Sequence, residues 1–240
     1  VHAQEPYSII SKNYNLDLTV NYNEEKLIGV CELTLTNNST EPVDSISFLL
    51  YRLMKVTSIT DINNKDVLYT QNVTEFDDIP QLQVNQICVY KTLESGESTT
   101  IKINYNGYIL GYSETGMKYI KDCISPSFTY IRFDTYSYPY PCLPSIDMLR
   151  LSVENKFDYS LTVNVPDTLV AVCGGNPIDL IKKDGVATYK YNSKQPVWRM
   201  DIAIADYKQI NSGIIDVFYF GNEPAAQMIS ENGNNCLNLY

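Results

Sequence analysis

Apolar and polar residues alternate one by one over long stretches of this chain of 240 residues, a period that strands satisfy and helices do not. Tyr14, Leu16, Leu18, Val20 and Tyr22 fall on one face, with Asn15, Asp17, Thr19 and Asn21 on the other. The polar turn Asn23-Glu24-Glu25-Lys26 leads into a second run with Leu27, Gly29, Cys31, Leu33 and Leu35 in register. That pattern predicts a hairpin, closed by Asn37-Asn38-Ser39-Thr40-Glu41-Pro42. The next strand carries Ile46, Phe48 and Leu50 on one face. Further strands are expected over residues 87–92, around Ile101, Ile103 and Tyr105, and over 157–165, 169–172 and 186–191. Trp198, Met200, Ile202 and Ile204 share one more face, and residues 214–220 complete the set. Short strands at this spacing predict an all-β fold, a two-layer β-sandwich or saddle-like pair of sheets, as a single domain over residues 1–222.

Two stretches break the alternation. Residues 108–144 are irregular and rich in Tyr, Ser, Asp and Pro, too long for an idle connection in a compact domain. Long loops on rigid sheets often carry binding surfaces. After Gly221-Asn222-Glu223-Pro224 the chain changes to a helical habit, with Pro224 suited to a first helical turn. Residues 223–240 therefore read as the start of a helix, and a chain cut from a longer protein is the expectation.

Composition removes whole classes of function. The single histidine, His2, lies beside an end that reads as a tag or tail. Histidine is the commonest general base near neutral pH and the commonest metal ligand, so a self-contained Ser-His-Asp, Cys-His or His-Glu-x-x-His hydrolase is excluded. A net charge of −10 repels polyanions and argues against nucleic acid as a partner. No apolar run reaches the ~20 residues of a membrane helix. No basic-then-apolar leader opens the chain either. Twenty tyrosines against seven phenylalanines suggest rings buried with their hydroxyls wet. Six cysteines form no Cys-x-x-Cys pair, which argues against structural zinc. Cys31, Cys88 and Cys173 sit in strand-like runs as buried thiols, while Cys123 and Cys142 flank the irregular stretch and could form a clip. The compartment stays open, with an extracellular or cell-envelope location favoured over a cytoplasmic one.

Few constellations suggest chemistry. Gly174-Gly175 follows a strand without phosphate-loop spacing and reads as a turn. Glu114, Asp122, Asp134 and Asp147 lie in or beside the irregular stretch, where a carboxylate pair could serve a glycosidase or hold calcium, although no calcium-loop spacing accompanies them. Asn37-Asn38-Ser39-Thr40 and Asn72-Val73-Thr74 match glycosylation acceptors. Tyr130, Phe133, Tyr136, Tyr138 and Tyr140 could form a sugar-stacking platform, or could pack the loop onto a sheet.

Several segments, in order, resemble the N-terminal β domain of the alanyl-aminopeptidase (gluzincin) family of zinc metallopeptidases. Tyr14-Asn15-Leu16-Asp17-Leu18 with Leu27-Ile28-Gly29-Val30 is similar to the family's opening hairpin. Ile46-Ser47-Phe48-Leu49-Leu50 followed by Val56-Thr57-Ser58-Ile59 resembles its apolar strand and V-x-S-I step. Residues 99–107, Tyr140-Pro141-Cys142 with Pro144, residues 161–172 and residues 197–205 supply the rest. The resemblance implies a non-catalytic domain that forms one wall of a substrate cleft. It also implies a missing catalytic domain whose first helix starts near Pro224. The parent is then expected to hydrolyse N-terminal peptide bonds, with zinc and the His-Glu-x-x-His helix beyond Tyr240. This chain is expected to hold no metal and no catalytic residue. Its partners would be that catalytic domain and, through the parent, a peptide substrate.

Family members use a Gln or Glu of this domain, before the Pro-Cys corner, to help hold the substrate's free amino group. Counting back from Cys142 places Tyr130 and Arg132 at the matching positions. An arginine facing an ammonium group is repulsive. Either Asp134 takes the role through a shifted register, or the parent departs from an aminopeptidase. Two alternatives stand beside the resemblance: a secreted or surface module for adhesion or carbohydrate binding, and the scaffold domain of a degenerate or transporter-fused peptidase-like protein.

Overall fold

The computed structural model describes residues 7–211 and 214–238, apart from the side chains of Glu114 and Ser152. His2 and the last two residues lie outside that range. The opening hairpin forms as expected from β1 (Ile9–Asn21) and β2 (Lys26–Asn37), paired antiparallel with Leu16 opposite Cys31 and Leu18 opposite Gly29. Then follow β3 (Ile46–Tyr51), β4 (Met54–Asp61), β5 (Tyr69–Glu75), β6 (Gln83–Val89) and β7 (Ser98–Tyr108). The irregular stretch contributes β8 (Thr129–Ile131) and β9 (Tyr140–Pro141). After it come α1 (Ile146–Ser152), β10 (Asp158–Pro166), β11 (Val170–Cys173), β12 (Asn176–Lys183) and β13 (Val186–Asn192). The chain continues with β14 (Ile202–Ala205), β15 (Lys208–Asn211), β16 (Asp216–Tyr219) and α2 (Glu223–Leu237).

The fold is all-β and sandwich-like. A seven-stranded sheet runs β12-β13-β10-β1-β2-β7-β4, and a four-stranded sheet runs β5-β6-β3-β9. Their inward faces share one core, because the alternation that marks each strand places Leu16, Leu18, Leu33, Ile101 and Ile103 against Phe48, Leu50, Val84 and Ile87. A three-stranded sheet, β11-β14-β8, and the hairpin β15-β16 complete the set, with α2 lying on that hairpin. The large sheet is mixed, since β1 and β10 run parallel. Asn222 caps α2 by accepting from the Ala225 amide, and Pro224 sits in its first turn as expected.

Several boundaries differ from the sequence reading, each for a physical reason. β3 is buried on both faces, so Leu49 and Tyr51 belong to the core beside Ile46, Phe48 and Leu50. The strand expected over 87–92 begins earlier and ends at Val89, because the polar Gln83, Asn85 and Gln86 pair with β3 and β5. Trp198 precedes β14 rather than sharing its face, and it is partly exposed. The strand expected over 214–220 shortens to β16 and, among the described residues, pairs with β15 alone. Cys123 stands as a free thiol, so the proposed clip to Cys142 is not formed. Asn37 is buried and its amide donates to the carbonyls of Glu41, Leu93 and Glu94, which withdraws it as a glycosylation acceptor.

From Thr129 to Cys142 the irregular stretch is not a surface loop, although Tyr108, Leu110 and Tyr119 before it are exposed. Tyr14 donates to Pro139 O and Tyr105 to Ser137 O, each at 3.2 Å, while Tyr112 donates to Gln83 O at 2.9 Å. Tyr138 both donates to Met200 O (3.2 Å) and accepts from the Met200 amide (2.9 Å). Buried tyrosines thus satisfy backbone groups that a strandless segment would leave orphaned. Their rings fill the space between the sheets, with Tyr14 4.4 Å from Phe157 and 6.0 Å from Tyr138 between centroids.

This packing gives two expectations. Gly29 faces Tyr105, and a Cβ built there lies 2.2 Å from the ring. Gly29→Ala should therefore destabilise the fold by about 1–3 kcal/mol through overpacking, read as a shifted urea midpoint. The second concerns pH. Burial pushes the phenols of Tyr14, Tyr105, Tyr136 and Tyr138 above their ordinary range. A raised folded pKa leaves stability intact below the unfolded value of about 10 and removes it as pH climbs beyond. Tyrosinate absorbance should rise in two steps, an ordinary one and a later cooperative one coincident with unfolding. One smooth titration with unchanged near-ultraviolet dichroism would contradict this.

Candidate functional site

The three-stranded sheet ends at β8, whose alternation continues beyond the strand. Thr129, Ile131, Phe133 and Thr135 point inward and are buried, so Tyr130, Arg132 and Asp134 emerge together on the outer side. Arg132 is extended and leads into a 3-10 turn over Phe133–Thr135, closed by Tyr136 in the left-handed region at φ 49°. The sequence thus brings its three candidate residues to one edge.

There they form part of a chain of charges. Arg132 Nε donates to both Asp122 oxygens at 2.9 and 3.0 Å, and Asp122 is almost wholly buried. Arg132 Nη1 lies 3.6 Å from Asp134 Oδ2, and the guanidinium stacks 4.7 Å from the Tyr130 ring centroid. Arg199 Nη2 donates to the same Asp134 oxygen at 2.7 Å and to Asp201 at 2.8 Å. Arg199 also lies 5.0 Å from the Trp198 ring centroid, and Trp198 meets Phe133 edge-on. The order is Asp122–Arg132–Asp134–Arg199–Asp201, with three carboxylates, two guanidiniums and a formal charge of −1. Hydrogen bonding to Asp122 raises the Arg132 pKa further above its ordinary value. For Arg199 the downward pull of burial is outweighed by hydrogen bonds to Asp201 and Asp134. Both arginines are permanent cations and serve as neither acid nor base.

Asp134 is the most exposed member, at 39% for its side chain. Both arginines contact its Oδ2, and neither reaches Oδ1 in these ion pairs. The positive charge of Arg132 is therefore spent inside the protein, and the outermost group at this edge is a carboxylate.

Other candidates separate from this edge. Asp122 and Asp134 meet through Arg132 rather than as an acid–base pair. Asp147 is exposed in the first turn of α1, 3.6 Å from Arg150, and the side chain of Glu114 lies outside the described residues. The sugar-stacking platform is overturned: Phe133, Tyr136, Tyr138 and Tyr140 are all buried, and only Tyr130 keeps an accessible ring. Sequence reasoning missed Arg199 and Asp201. The one signal for them was the pair of charges interleaved with Trp198, Met200 and Ile202. It also missed an aromatic ladder in which Phe128 lies 5.7 Å from Tyr130 and 6.1 Å from Phe220, which in turn lies 5.7 Å from Tyr207. Among the described residues no group of three or more His, Cys, Asp or Glu could hold a metal ion, so the donor set does not fit zinc.

No family model and no curated protein matches the chain. Solved structures do. The M1 zinc metallopeptidase from Deinococcus radiodurans, including a mutant bound to a Tyr-Ser-Ala substrate, superposes with a TM-score of 0.60 and 18% identity. The match covers 93% of this chain and 52% of that one. A two-domain M1 zinc metallopeptidase mutant bound to L-tryptophan matches with a TM-score of 0.58, the same identity and the same coverage. At this identity the likeness is one of fold, and the chain spans about half the length of the structures it matches.

Proposed function

We propose that this chain is the non-catalytic β domain of a zinc-aminopeptidase-like protein and that its β8 edge forms one wall of the substrate cleft. The observation that carries the reading is the superposition on M1 zinc metallopeptidases over 93% of this chain but only 52% of theirs. On this reading the remainder of the protein supplies the zinc, and with it the activated water that hydrolyses N-terminal peptide bonds. This chain supplies shape and charge. The Tyr130 ring and Trp198 border the edge, the arginines hold Asp134 in place, and Asp134 Oδ1 receives the substrate's ammonium group. That assignment resolves the repulsion expected of Arg132, whose guanidinium is turned to Asp122.

The experiment uses the full-length protein. Asp134→Asn should raise KM for an aminoacyl amide about tenfold, the equivalent of ~1.4 kcal/mol, with kcat nearly unchanged. Equal KM values for both forms would remove Asp134 from the cleft wall. Chelator-sensitive cleavage of the same reporter by the purified 240-residue chain would contradict the non-catalytic reading.

One observation favours a second reading, a scaffold in a peptidase-like protein that has lost its chemistry or joined a transporter. The positions matched to the amine-holding residues are Tyr130 and Arg132, and they are engaged with each other and with Asp122. A full-length protein that binds aminoacyl amides without hydrolysing them would favour it.

A further inference from the structure

β12 is the outer strand of the seven-stranded sheet, and every one of its residues is exposed. Three are apolar: Ile178, Leu180 and Ile181 are 57%, 50% and 44% exposed. An edge strand with apolar residues on both faces is a template for another strand unless something blunts it. The blunting is partial here. Pro177 and the register shift between Pro177 and Asp179 protect the first end only. Lys182, placed to repel an incoming strand, is drawn back, with Nζ donating to Asp167 O at 2.9 Å. Residues 179–183 stay regular against β13. Asp179, Ile181 and Lys183 lie opposite Lys190, Thr188 and Val186 on the outer face, and Leu180 and Lys182 lie opposite Tyr189 and Ala187 on the inner one.

We propose that β12 pairs antiparallel with β12 of a second copy of this chain, about a two-fold axis through Ile181. Charge complementarity selects this occupant. Directly opposed residues share a face, so Ile181 meets its own copy and Asp179 meets Lys183 of the second copy, twice by symmetry. Asp179 has an exposed, long contact to Lys190 at 3.8 Å and can take a second cation. On the inner face Leu180 lies along the aliphatic stem of Lys182 of the second copy. The neighbouring symmetric registers are worse. One sets Lys182 against itself, and the other sets Lys183 against Pro177. A single edge strand buries less than the ~800 Å² per partner of a standard interface, so the dimer is weak and concentration-dependent.

Sedimentation velocity on the 240-residue chain tests this. The weight-average mass should climb toward that of a dimer by about 100 μM. Ile181→Lys should abolish the climb. Asp179→Lys and Lys183→Asp should each weaken association about tenfold by opposing like charges, and an equimolar mixture of those two variants should restore it as a heterodimer. All three positions are on exposed β12, so thermal melts of Ile181→Lys and Lys183→Asp should match the parent chain, while Asp179→Lys, which faces Lys190, should melt only slightly earlier. A chain that stays monomeric throughout would overturn the proposal. So would a dimer indifferent to Ile181→Lys, or a mixture that fails to recover.

Discussion

Tyr138→Ala is expected to cost about 4 kcal/mol from the vacated ring volume alone. A further ~1–3 kcal/mol follows because Met200 loses the partner of both its amide and its carbonyl. The ring is 1% exposed, edge-on to Tyr14, and its hydroxyl ties the irregular stretch to the segment leading into β14. A sum of this size is a large part of the 5–15 kcal/mol by which domains are stable, so the variant should be mostly unfolded or aggregate on expression. Tyr138→Phe separates the two contributions. It keeps the ring and should lose only ~1–3 kcal/mol in urea melts. The pair also decides between readings of the tyrosine-rich stretch. If Tyr138 were an exposed contact for glycans, both variants would melt like the parent chain and differ only in binding.

The second large effect is expected at Arg132. Arg132→Ala leaves the almost fully buried Asp122 carboxylate without its bidentate partner. Removing one member of a buried pair costs several kcal/mol, but Arg132 is about one-fifth exposed and water screens part of that loss. About 2 kcal/mol is the expected destabilisation. Asp122→Asn combined with Arg132→Gln should recover most of it, because the stranded charge is gone, and the double-mutant cycle should show strong coupling. Additive losses would mean that the two side chains do not act as a pair. An unchanged melting curve for Arg132→Ala would return Arg132 to the list of groups facing a ligand.

Much of the fold was legible because inward and outward residues alternate where one face of a strand is solvated. β1, β2, β7, β10 and β13 follow their patterns closely. What was missed has opposite causes. β3 was expected, but its second face, Leu49 and Tyr51, is buried too, and β12, which no alternation marked, is exposed on both faces, so period two gives no contrast in either. The irregular stretch misled because its polar tyrosines and serines look like a loop, yet the hydroxyls of Tyr112 and Tyr138 are spent on backbone carbonyls and those of Thr135 and Ser137 on each other. At the candidate site, Tyr130, Arg132 and Asp134 were within reach because they are two residues apart. Arg199 and Asp201 were not, since only the fold brings them to Asp134 across 65 residues of chain. The groove of about 770 Å³ beside β12 was also invisible, because its walls, among them Val170, Tyr189 and Phe218, come from five separate strands.

The most direct measurement is the sequence of the native reading frame beyond Tyr240. A cleft wall of an aminopeptidase requires a His-Glu-x-x-His segment on a helix with a further glutamate downstream, which would supply the zinc ligands absent among the residues described. A frame that stops, or that continues without those ligands, would contradict an aminopeptidase cleft wall.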